Sequence, residues 1–359
     1  MTSRRSFLCG ILASGVAPAA SWADAGAPTH LAAARRADGR YVLCGLGAEQ
    51  GMLFSIPLPD RGHAAAAHPT RPEAIAFARR PGTFALVLDC RNGDVLAHLA
   101  APAGRHFYGH GAFSQDGRLL FTTENDFEMA EGRIGVWDAT RRYARVGEIA
   151  SGGTGPHDVR ILPGRDILVV ANGGIETHPE SGRTKLNLPT MRPNLSYLSF
   201  EGDILDQVEP PRDHHLNSIR HLSVRADGLV AYATQWQGAL SDTPPLLGLH
   251  TMGRAVRHLS PNTGLHRDCV GYAGSVAFRG DGRAVAITAP RGGIALIFDV
   301  EGGHTSNVIR LEDVSGVAAD RAALLFTSGT GALFRTQDSV SIELSDHGWD
   351  NHLIELESG

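Results

Sequence analysis

Short apolar segments, each bounded by Asp, Gly or Pro, recur along the whole chain, and none is followed by a stretch of helical period. One unit repeats: an apolar strand, a tight polar turn, then a second apolar strand. It reads Leu31 to Leu43 around Asp38-Gly39, His110 to Thr123 around Asp116-Gly117, and Val159 to Val170 around Pro163-Gly164. It returns as Ile219 to Thr234 around Asp227-Gly228 and as Ser275 to Thr288 around Asp281-Gly282. Ile75 to Leu88, turning at Pro81-Gly82, and Val314 to Thr327, turning at Asp320-Arg321, are worn copies that bring the number to seven. Gly in the second turn position supplies the positive φ of a two-residue hairpin without steric cost.

Further strands follow the hairpins, such as Gly132 to Asp138 and Gly293 to Asp299, rich in β-branched and aromatic residues and ending in Asp. The turn glycines 39, 82, 117, 164, 228 and 282 stand 35 to 64 residues apart, so blades four and five are expected to carry long insertions. Seven irregular four-stranded repeats predict an all-β fold, a seven-bladed β-propeller of WD or YVTN-like type, in one domain over 24–359 with an insertion at about 175–217. The last blade, Val314 to about Leu356, is expected to close against Leu31 to Ile56. A pair of β-sandwiches is the competing architecture, but no break in composition marks its boundary. Gly109-His110 and Trp137-Asp138 stand in the order a WD blade uses, in this blade alone.

The N-terminus reads as an address. Arg4-Arg5 precede an uncharged apolar run from Leu8 to Ala20, and Ser21 and Ala23 suit cleavage after Ala23, so residues 1–23 are read as a twin-arginine signal peptide and the mature chain as periplasmic. The apolar run is too short to span a bilayer, so no membrane insertion is expected. A net charge of -5 with 20% charged residues excludes a nucleic-acid footprint. Cys44, Cys90 and Cys269 form no close pair and no thiol motif, although the periplasm permits one bridge. The 43 glycines agree with many hairpin turns, whereas the 17 histidines call for another explanation.

Several segments together are distinctive: His110 to Asn125, Gly155 to Arg160, Ala171 to Pro179, Leu186 to Leu195, Ser218 to Leu222, Gln235 to Gly238 and Ala289 to Gly293. They resemble the twin-arginine-exported family of domain of unknown function 1513. The resemblance covers essentially the whole mature chain. It implies a periplasmic propeller-like protein of unassigned activity, often encoded beside imelysin-like and di-haem oxidoreductase-like proteins of iron acquisition, which are therefore the expected partners. It names no catalytic residues.

Candidate chemistry follows from position. Residues just before the apolar centre of each innermost strand point toward the propeller axis, and those places hold His110, His157, Arg220 with His221, and Ser275. Convergence of His110, His157 and His221 on one mouth would suit a transition metal, iron, copper or zinc. Each histidine equally suits a hydrogen bond inside its own blade. Glu124, Asn125 and Asn172 follow second strands and are expected at the opposite end of their blades, while Trp236 is a candidate stacking residue or blade packing. The insertion, with His178, Lys185, Arg192, His214 and His215, reads as a surface excursion or a lid.

The function expected is a ligand-, metal- or protein-binding module in iron or metal handling. The alternative is a propeller enzyme, a lactonase-like hydrolase using Glu124, Asn125, Asn172 and Asp158 around a cation, or an oxidoreductase. Neither a nucleophile elbow nor a phosphate loop is present.

Overall fold

The computed structural model describes residues 19–47, 51–79, 83–182, 184–336, 341–343 and 346–356. Seven four-stranded antiparallel sheets stand around one axis. Their innermost strands are His347–Glu355 in blade one, Gly62–Ala67 in blade two, Arg105–Phe113 in blade three and Pro156–Ile161 in blade four. Asn217–Val224, Ser275–Phe278 and Val314–Asp320 serve blades five, six and seven. Each touches the next and the last returns to the first, so the ring is closed.

The strands are apolar on both sides because each blade is packed between two others. Second strands such as Glu73–Ala78, Val230–Trp236 and Ala284–Ala289 are accordingly buried almost throughout. Between blades three and four Phe121, Ile134, Val159, Leu168 and Leu198 form one cluster. Between blades two and three Ile75, Phe77, Val87, Leu120 and Trp137 form another. Outermost strands such as Ala144–Ala150 face solvent over most of their length. The turn glycines Gly39, Gly117, Gly164, Gly228 and Gly282 all have positive φ, as the Asp-Gly reading requires.

Three details differ from the sequence reading. The hairpins Leu31 to Leu43 and Ile75 to Leu88 join second to third strands, not first to second. The closing strand His347–Glu355 belongs to blade one, pairing with His30–Arg36 so that Leu353 lies opposite Ala32, and blade seven ends at Glu343. A ring held by non-covalent contacts alone is secured when its final strand completes its first sheet, because the two termini then share one hydrogen-bonded ladder. Finally, the insertion is narrower than 175–217: Asn194–Ser199 and Ile204–Val208 are the outer strands of blade four, leaving an excursion between Asn172 and Asn194 with two 3₁₀ turns. Its prolines and glycines had hidden the strands that follow.

Residues 1–18 of the expected signal peptide lie outside the described residues. Within the described part, Trp22 opens a 3₁₀ turn, Trp22–Ala25, and its indole Nε1 donates to the carbonyl of His68 at 2.8 Å.

Candidate metal centre in the channel

Five histidines from five inner strands meet on the propeller axis: His63, His110, His157, His221 and His352. Ring centroids of neighbours lie 4.6 to 5.0 Å apart in the pairs 63–352, 63–110, 110–352, 110–157, 157–221 and 221–352. A regular strand does not aim successive inner strands at one point. Each of the five is bulged at or beside its histidine, between Gly62 and Ala65, Phe107 and Gly111, Pro156 and Asp158, Ile219 and His221, and opposite Ala32 to Ala34 on the closing strand. A bulge turns a side chain out of the pleat, as it commonly does at functional sites. The inner strands of blades six and seven carry no histidine; that of blade six pairs regularly with Ala284–Ala289, while that of blade seven is bulged between Val314 and Gly316.

Two carboxylates orient the cluster from behind. Asp158 Oδ1 lies 3.3 Å from His110 Nδ1, and Asp350 Oδ1 lies 3.5 Å from His63 Nδ1. Asp158 also accepts the Leu222 amide of blade five at 3.0 Å, and Asp350 is held by Arg61 at 2.6 Å and Arg79 at 2.7 Å. His110 Nε2 and His63 Nε2 are 3.3 Å apart on the axis, a hydrogen bond in which one imidazole N–H donates to the other, while His63 Nδ1 makes no hydrogen bond.

Nδ1 of His157, Nδ1 of His221 and Nε2 of His352 are buried without a hydrogen-bond partner. Two trios, His63 with His110 and His352 and His110 with His157 and His221, each bring three ring nitrogens within 4.8 Å of one another. Burial pushes His63 down to about 4 against the pull of Asp350. Burial first, then the neighbouring imidazoles and the nearby arginines, hold His157, His221 and His352 well below the ordinary range. His63, His157, His221 and His352 are therefore neutral at neutral pH, the state in which imidazole ligates a metal. For Asp158 and Asp350 burial alone acts upward. Arg160 and His110 outweigh it at Asp158, and His63, Arg79 and Arg61 do so at Asp350, so both stay ionised.

His110, His157 and His221 thus come together, and the charge of Arg220 reaches His157 and His221. The other sequence candidates are held elsewhere. Glu124, Asn125 and Asn172 lie at the same end as the inner-strand starts, opposite Phe107, His106 and Pro156, because the end of a second strand returns to the beginning of the first. Glu124 is clamped by Arg145, and Asn125 donates to the carbonyl of Thr177 at 3.0 Å. Trp236 donates to the Ala239 carbonyl at 2.9 Å within its own loop. Ser275 pairs opposite Thr288 in the regular blade-six ladder. Lys185 of the excursion bonds Gln237 and stands near Arg220 and Arg291, while His178 packs on Phe127 and Arg192 pairs with Glu209.

Asn172 ties two blades. It donates to the Ser151 carbonyl at 2.8 Å and to Asn194 Oδ1 at 2.9 Å, and accepts from Ser151 Oγ at 2.7 Å, fully buried. Asn172→Ala strands several of these groups, and a loss of about 2–3 kcal/mol is expected in urea unfolding. Metal uptake should be unaltered. A loss of uptake without a loss of stability would assign Asn172 to the site instead.

The sequence reading missed His63, His352 and Asp350. The pair Gly62-His63 repeats Gly109-His110, but it opens an alanine run, Ala64 to Ala67, that lacks the β-branched residues by which strands were recognised. His352 was assigned to blade seven, whose inner strand lies elsewhere.

The fold has solved counterparts. A structure titled Kuenenia stuttgartiensis hydrazine synthase superposes with a TM-score of 0.60 at 13% identity, covering 83% of this chain and 90% of that one. A structure of U3-55K gives 0.56 at 10% identity, with 76% of each chain covered. At these identities the likeness concerns the fold alone. No curated protein matches the sequence. Residues 56–356 match the family described as protein of unknown function (DUF1513), and the chain, a seven-bladed propeller with five imidazoles on its axis, belongs to that family.

Proposed function

We propose that the protein is a metal-binding propeller that holds a first-row transition metal ion, iron or copper foremost, among the imidazoles of its channel. The observation that carries this reading is the convergence of ring nitrogens that lack partners, backed by carboxylates on the far side of His63 and His110. Neutral imidazole donors with carboxylates behind two of the rings suit iron, copper and zinc. The carboxylates set the tautomer and raise ligand basicity, the bulges aim the rings, and closure of the ring fixes their spacing. The twin-arginine motif and the family resemblance support a periplasmic setting, with imelysin-like and di-haem oxidoreductase-like proteins of iron handling as partners. No observation favours the lactonase-like alternative, since Glu124 and Asn172 are bound inside their blades.

The test is metal titration of the chelator-treated full chain with Fe(II), Cu(II) and Zn(II), followed by calorimetry and elemental analysis. At least one ion per chain is expected. His110→Ala and His352→Ala should each weaken binding roughly 100-fold, and Asp350→Asn about 10- to 100-fold. A chain that takes up none of the three ions overturns the reading.

A further inference from the structure

A cavity of about 350 Å³ lies in the channel on the side toward which the inner strands run after their histidines. Its wall is mainly small and aliphatic, including Ala65, Ala112, Leu222, Ala277, Val317 and Leu353. Several of these follow a cluster histidine by one or two positions, so the cavity abuts the imidazoles. Two charged side chains line it, Arg160 and Glu355. Glu355 is exposed at the end of the closing strand. Arg160 turns back toward the histidines: its Nε is 3.6 Å from Asp158 Oδ1, and its charge acts on His352. That Nε is buried and makes no hydrogen bond. A guanidinium, paired on one side with Asp158, beside a chamber whose wall combines alanine, valine and leucine with polar groups such as Ser114, Gln115 and Ser223 is complementary to an anionic head on a short aliphatic tail.

We propose that this cavity is a binding site for a short-chain aliphatic carboxylate, its carboxylate on Arg160 beneath the imidazoles and its tail among the alanines, valine and leucines. The volume admits roughly ten water-sized groups, which limits the ligand to a short chain. The placement of the head beside a bound ion rests on the metal reading above; the pocket itself does not.

The experiment titrates the full chain with hexanoate, using hexan-1-ol as the uncharged probe of equal length. Binding is read by saturation-transfer NMR on the metal-free chain and by the visible spectrum of the Co(II)-loaded chain. Hexanoate should saturate both signals and hexan-1-ol neither. Arg160→Met should weaken hexanoate at least about tenfold, Arg160→Lys should restore part of that loss, and Ala112→Phe should abolish binding with Arg160 in place. Arg160→Lys keeps a cation beside Asp158 and so serves if the methionine variant does not fold. Hexanoate bound no better than hexan-1-ol, or equally by the wild-type and the Arg160 and Ala112 variants, overturns the proposal. Full Co(II) loading with a spectrum indifferent to bound hexanoate overturns the placement of the head. Arg160-dependent hexanoate binding without Co(II) uptake supports the pocket and overturns the metal reading.

Discussion

The metal-free protein should lose stability steeply as the pH falls from about 6.5 toward 4. His63, His157, His221 and His352 are all held below their ordinary values, mainly by burial. An unfolded chain takes up one proton on each below about pH 6.5, whereas the folded chain does not until far lower, near 4 for His63. The unfolded state then binds more protons, so stability is fully present above 6.5 and is lost as the pH drops. Each such histidine contributes about 1.4 kcal/mol per pH unit, approaching about 5 kcal/mol per unit for the four together. The other groups facing them are His110, Asp158, Asp350, Arg79, Arg160 and Arg220, of which the arginines reinforce the effect and the carboxylates oppose it. Below about pH 4 the unfolded carboxylates also protonate, and the ion pairs of Asp158 and Asp350 add to the loss. Urea unfolding of chelator-treated protein between pH 4.5 and 8 measures the slope. Saturating metal should shift the decline to lower pH, since an ion bound only to the folded state stabilises it and competes with protons. A midpoint independent of pH between 5 and 7 would show that the imidazoles are hydrated or already protonated in the folded chain.

Arg145→Met should cost about 3–5 kcal/mol, the loss expected when one partner of a buried ion pair is removed. Glu124 has no exposure and accepts from Arg145 Nη1 at 2.6 Å and Nη2 at 2.9 Å, with Thr122 Oγ1 at 3.1 Å. Arg145 comes from the outer strand of blade three and crosses the third strand to reach it, lying 5.1 Å from the Trp137 ring centre. The crossing is open because residue 135 is glycine. A Cβ there would stand 2.0 Å from Glu124 Oε1 and 2.6 Å from Arg145 Nη1. Trp137 in turn donates to Thr122 at 2.9 Å, so the Trp of the Trp-Asp pair is part of the same assembly. The double variant Glu124→Leu with Arg145→Met should recover most of the loss, because it leaves no charge unpaired. If the double variant is as unstable as the single one, the cost lies in lost packing over Trp137 rather than in the stranded carboxylate. Metal uptake should be unaffected by either, which separates this buried pair from the channel.

The repeating hairpin and the placement of His110, His157 and His221 on inner strands were legible in the residues. Hairpin glycines and apolar strands are local signals, and blade number follows from counting them. Two of the seven hairpins were assigned to the wrong strands of their blades because first-to-second and second-to-third turns use the same residue types. That single ambiguity concealed His63, whose strand is a run of alanines, and His352, whose strand completes a blade more than 300 residues earlier in the chain. Glu124, Asn125 and Asn172 were misplaced along their blades for the related reason that sequence order hides the antiparallel return.

What the amino-acid sequence by itself determined is therefore the element type, the number of blades and the side chains offered to the axis, all consequences of local propensity and period. Which imidazoles meet was decided only in three dimensions. Bulges, ring closure and the carboxylates of Asp158 and Asp350 act between residues far apart in the chain, and no local pattern records the distance at which they bring the imidazoles together.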